Sequence, residues 1–132
     1  MKDAATELNA LAERVEQAEP HMQGVLLDRA WDELAECSAV FRRFAVAHQP
    51  GFDNNAGKFA MALEARAYES AAMMLVPEGA VTFLASQDRH SRRWKWELRH
   101  GYGIKSAARA ETPALTLTAA ALRAHAAIAG EG

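Results

Sequence analysis

Cysteine is almost absent from this chain. The one thiol, Cys37, has no second thiol to pair with, so no intrachain disulfide can hold the fold. A reducing compartment is the expected setting, the cytoplasm of a bacterial host. Aromatic residues are also scarce, at 8% of the sequence. Alanine is abundant instead, so the core is expected to be thin and closely packed. No apolar run approaches the ~20 residues that a membrane-spanning helix needs, which removes a membrane from the expected partners. The opening "MKDAATELNALAERVEQAEP" lacks the apolar centre of a signal peptide and carries too many carboxylates for a transit peptide. No glycine-rich phosphate loop is present, since "GYG" fits neither a Walker nor a dinucleotide pattern. A large excess of one charge is missing too. Fifteen Lys and Arg stand against seventeen Asp and Glu, a net charge of −2, which gives the whole chain no strong attraction to nucleic acid.

The balanced total hides an asymmetry. Met1 to Phe41 holds nine acids and three bases, whereas Asp88 to Arg109 holds seven bases and two acids. The two regions can attract each other, or each can face a different partner.

Hydrophobic spacing organises the rest. Leu8, Leu11 and Val15 recur at helical steps in a segment that ends near Glu19 and Pro20. A second helix is expected over Gln23–His48, with a bend or break near Gly24. Leu27, Ala30, Leu34, Cys37, Phe41, Phe44 and His48 form its stripe, widened by Trp31 and Val40. "HQPGFDNN" ends that helix, and Asp53, Asn54 or Asn55 can cap the next one, expected over Ala56–Leu75. "VPEG" is a turn. After it the period changes to two. Val81, Phe83 and Ala85 alternate with Thr82 and Leu84, and "RWKWELR" places Trp94, Trp96 and Leu98 on one face and Arg93, Lys95, Glu97 and Arg99 on the other. Tyr102 and Ile104 mark a weaker third strand. Thr112 as N-cap and Pro113 at the first helical position open a last helix, whose stripe is Leu115, Ala119, Leu122 and Ala126. The expected fold class is therefore α+β. It comprises N-terminal amphipathic helices, a short antiparallel β-meander of two or three strands, and a C-terminal helix packed on the sheet. One domain is expected over 1–132, with an acidic helical segment at 1–50 and a helix–hairpin–helix segment at 51–132. The tryptophan face should be the floor for the last two helices.

The C-terminal half carries a family likeness. "ESAAMMLVPEG", a tryptophan-bearing strand and then "TPALTLTAAALRA" resemble a family of small phage and prophage proteins of alphaproteobacteria. The likeness runs from about Phe59 to Ala127. Ser70 stands where the family pattern has an acidic residue, and the hairpin is more basic than in that pattern. The resemblance implies a mobile-element setting and no particular chemistry.

Candidate chemistry is thin. Glu97 and His100 have the spacing of a helical Glu-x-x-His metal pair, but in a strand positions i and i+3 point to opposite faces. The remaining histidines, among them His125, are scattered. Cys37 lies in an apolar stripe with no adjacent base and reads as a small hydrophobe. No catalytic residue, metal or cofactor is assigned. Asp28, Asp32 and Glu36 form one acidic helical row, which is either a solvated face or a mimic of phosphate. Arg89, Arg92, Arg93, Lys95, Arg99 and Lys105 form a basic hairpin, with Arg109 beyond it. Two functions follow as expectations. The first is a non-enzymatic interaction protein of phage origin. It would bind and inhibit a host protein or ribonucleoprotein complex, such as a defence system, through these charged surfaces. The alternative is a nucleic-acid-binding accessory protein that uses the basic hairpin. Self-association is a further expectation, because a thin core leaves apolar surface uncovered.

Overall fold

The computed structural model describes residues 3–48, 51, 54–85, 87–100 and 104–131. Asp53 and Tyr102 lie outside them. The described residues form six α-helices and one three-stranded sheet: α1 (Ala4–Glu16), a 3-10 turn (Pro20–Met22), α2 (Gln23–Cys37), α3 (Ala39–Val46), α4 (Asn55–Glu64), α5 (Tyr68–Met73), β1 (Val81–Ala85), β2 (Trp94–His100), β3 (Ile104–Ala110) and α6 (Pro113–Glu131). The strands run in the order β1-β2-β3, each antiparallel to its neighbour. The class is α+β, with the C-terminal helix on the sheet. Among the described residues no helix is long and apolar enough to cross a membrane.

The long second helix is two helices. The break falls at Ser38 and not near Gly24. Ser38 is extended (φ −132°, ψ 116°), and its hydroxyl accepts the Phe41 N–H at 3.1 Å as the N-cap of α3. The carbonyls that end α2 do not go unsatisfied. Arg42 Nη1 donates to Ala35 O at 2.7 Å and to Glu36 O at 3.0 Å. Gly24 instead lies inside α2, where a Cβ would meet the Tyr68 ring at 3.5 Å. The break turns Val40 and His48 out of the expected stripe, leaving both exposed.

The third helix also divides, at Arg66. Its φ is +59°. Arg66 N–H donates to Leu63 O and Ala67 N–H to Ala62 O, the paired bonds of a Schellman helix end. Glycine is the usual residue there, so the sequence carries no obvious stop signal. Elsewhere the local signals agree with the structure. Asn54 caps α4 by accepting the Gly57 N–H at 2.8 Å. Gly79 takes the positive φ that the turn after α5 needs. Thr112 Oγ1 accepts the Leu115 N–H at 3.1 Å at the start of α6.

α6 sits between two layers. One side packs on β2 and β3, the other on α1, α2 and α5. From Ala114 to Leu122 every residue is buried, so the expected single stripe is replaced by burial all round. Small alanines permit this, while Leu115, Leu117 and Leu122 each contribute ~1.5–3 kcal/mol on burial. The two threonines buried with them, Thr116 and Thr118, donate to Thr112 O (2.6 Å) and Ala114 O (2.7 Å), so no hydroxyl is stranded. Only α6 among the last helices lies on the tryptophan face. α5 packs on α6 instead, because the sheet is already covered.

Candidate functional site

The sheet has a covered face and an open one. Trp96 and Leu98 are buried toward α6 and Trp94 is half-buried, as the alternation of β2 requires. With its ring in the core, Trp96 offers no platform for a nucleobase. The opposite face carries Lys95, Glu97 and Arg99 on β2, and Lys105, Ala107 and Arg109 on β3. Register places Lys95 directly opposite Arg109 and Arg99 directly opposite Lys105. The four cations therefore sit at the corners of a rectangle about 13 Å along the strands and about 5 Å across. Glu97 stands between them. Its carboxylate is 3.3 Å from Lys95 Nζ. The Lys95 hydrogen bond, then the charge of Lys105, hold it below the usual carboxylate range.

The Arg109 N–H points away from β2, since it donates to Glu16 Oε2 at 2.8 Å. Residues 95 and 109 thus form a non-hydrogen-bonded pair, the type in which facing side chains come closest. Like charges opposite each other lower sheet stability.

Arg93, expected in the same row, does not belong to it. Its Nη2 donates to Glu16 O at 2.5 Å and to Arg109 O at 2.8 Å. It ties α1 to the edge of β3 and is structural. Glu16 is the centre of this tie. Its carboxylate also pairs with Arg123, whose Nη1 donates to Ala107 O at 3.0 Å. Side chains from α1, α6 and the hairpin thus occupy outward backbone groups of Ala107 and Arg109 in the C-terminal half of β3, which blunts an edge otherwise open to strand addition. Burial pushes the Glu16 carboxyl up, but the bonds from Arg123 and Arg109 N–H and the charges of Arg123 and Arg93 outweigh it and hold it below its ordinary value. The attraction between the acidic and basic regions is realised here. Glu16 and Arg123 lie 107 residues apart, and neither stands out in the sequence.

Arg89 and Arg92 are exposed at the hairpin tip. The tip backbone is tied by Arg92 N–H to Asp88 O (2.8 Å) and Asp88 N–H to Arg93 O (2.9 Å). Asp28, Asp32 and Glu36 are exposed along α2. Glu33, next to that row, is buried instead. Burial and the neighbouring Glu7 carboxyl raise it above its ordinary value, and it accepts the Cys37 thiol at 3.7 Å. Burial and the Glu33 charge push that thiol up to about 11, so at neutral pH Cys37 is not a thiolate. His100 Nε2 lies 3.0 Å from Glu78 O on the covered side of β2, opposite in face to Glu97. Among the described residues no His, Cys, Asp and Glu cluster could hold a metal ion.

A second concavity of about 690 Å³ opens between α3, the turn after α5 and α6. Phe41, Phe44, Met74 and His125 are among its walls. Spacing alone could not have found it, because its walls come from four separate parts of the chain. A scan of protein-family models and searches among curated proteins and solved structures return no match to this chain.

Proposed function

We propose that this chain is a non-enzymatic binding protein whose open sheet face docks an acidic segment of a partner protein. The observation that carries the reading is the register that brings Lys95, Arg99, Lys105 and Arg109 onto one sheet face around a single carboxylate, opposite the face that packs on α6. Among the described residues Glu97 alone on this face offsets part of that positive charge, at Lys95, so the net excess is positive and attracts a partner's acidic groups. Carboxylates eight residues apart on a helix are separated by ~12 Å along its axis, close to the length of the rectangle. Glu97 in its centre favours a protein over a phosphate backbone, since a polyanion track would meet that carboxylate head-on. The buried Trp96 and the net charge of −2 weigh the same way. The mobile-element setting implied by the LVPEG and TPAL likeness makes a host complex the partner class, with inhibition as the outcome.

The test is affinity capture from an alphaproteobacterial lysate at low salt, followed by reconstitution with the purified partner. Lys95→Glu with Lys105→Glu should abolish the reconstituted complex while leaving the fold intact. A complex that survives this reversal, or that is lost only on Asp32→Lys, would overturn the assignment to the sheet. Retention on single- or double-stranded DNA or RNA that falls steeply with salt would favour the nucleic-acid alternative.

A further inference from the structure

We propose that the cleft between α3 and the turn after α5 binds a small aromatic molecule carrying one N–H or O–H donor, of the indole or phenol class. The cleft, about 690 Å³, is within the range of small-molecule sites. Val40, Phe41, Phe44, Met74, Val76 and Pro77 give it apolar walls. Aromatic contacts shape the inner side. Phe41 meets the His125 ring edge-on (5.9 Å, 88°) and lies 5.6 Å from Phe44. Such walls favour a planar ring over an alkyl chain.

His125 selects the polar group. Its Nε2 lies 2.8 Å from Leu75 O. A carbonyl only accepts, so Nε2 carries the hydrogen. Burial pushes this imidazole below its ordinary value, against the Leu75 bond that raises it. At neutral pH it is therefore uncharged, and Nδ1 holds a lone pair. Among the described residues no hydrogen bond reaches Nδ1. That lone pair calls for a donor on the ligand; Arg43 and Glu78, one charge of each sign, complete the lining beside the apolar residues.

The walls are held in advance. Asn55, itself buried, donates Nδ2–H to Phe44 O at 2.7 Å, and its N–H to Ala47 O at 3.1 Å. These bonds pin the end of α3 to α4. On the other side, His125 and His100 hold the turn at Leu75 O and Glu78 O. Binding into such a preformed site costs little ordering. This inference is independent of the open sheet face, because no residue of the cleft lies on that face.

Titration of the full chain with indole and with 1-methylindole, followed by calorimetry, tests it. Indole is expected to saturate one site. 1-Methylindole, which lacks the donor, should bind at least fivefold more weakly. His125→Phe should erase that difference. Val40 is 63% exposed, so Val40→Glu should keep the thermal midpoint while abolishing binding. Absence of saturation by indole, equal binding of the two probes, or binding that survives Val40→Glu each overturns the proposal. None of these variants alters the sheet-face complex, so the two readings fail separately.

Discussion

Replacing Glu16 with alanine should be among the most damaging single polar substitutions in the molecule. Glu16 joins three elements through one side chain and its carbonyl. The lost carboxylate leaves the exposed Arg109 N–H to water, and the charge-assisted bond it made contributes ~1 kcal/mol. It also removes the Arg123 pair. That pair keeps 17% and 27% side-chain exposure, so it is worth less than a fully buried ion pair, ~1.5 kcal/mol. With the lost packing of the stem, the total is about 3 kcal/mol. At ~4 °C per kcal/mol for a domain of this size, the thermal midpoint should fall by about 12 °C. Urea unfolding of Glu16→Ala, Arg123→Ala and the double variant should return a coupling energy of ~1–2 kcal/mol. Hydrogen exchange at the Arg109 amide should accelerate selectively in Glu16→Ala. The pH dependence has a definite sign. A carboxyl held below its unfolded value of 4.5 stabilises the fold above that pH, and the contribution is lost as pH falls through the lower folded value. A Glu16→Ala cost under ~0.5 kcal/mol, with no change at Arg109, would refute the reasoning and reduce the cluster to an ordinary surface ion pair.

Other outcomes follow from single residues. Cys37, with its thiol pushed up to about 11 from 9.0, should react with iodoacetamide at pH 8 about a hundredfold more slowly than in the unfolded chain, as mass spectrometry would show. Arg66→Gly should stabilise the protein by ~0.5–1 kcal/mol in urea unfolding, because it places glycine at the left-handed position of a Schellman end. Stability should decline as pH falls below 6.5, since the unfolded His125 takes up a proton that the buried one resists, and His125→Phe should flatten this limb. Urea midpoints between pH 5 and 8 would measure it.

Period and punctuation are readable wherever the cause is local. The Leu8, Leu11 and Val15 stripe, the Asn54 and Thr112 caps and the turn at Gly79 all depend on a few adjacent residues. The alternation of β2 is enough to separate Trp96 and Leu98 from Lys95 and Arg99, because side chains in a strand change face at every step. Features that depend on remote partners are not readable in this way. Ser38 breaks a helical stripe that runs through it on spacing alone, and its capping bond to Phe41 N–H shows only in the folded backbone. Arg66 ends a helix in a conformation that its type does not announce. Arg93 fits the basic row by spacing, yet it serves Glu16 and Arg109, which lie 77 and 16 residues away.

What the sequence by itself determined is the set of faces: which side of each helix or strand is apolar, and which carries charge. What only the tertiary structure decided is the use of those faces. Burial of the first half of α6 on every side, withdrawal of Arg93 from the basic row and assembly of the cleft around His125 all require chain segments far apart to meet. Local periodicity reports the direction of a side chain but not the neighbour it finds there, and it is the neighbour that sets a group's burial, charge state and hydrogen bonds.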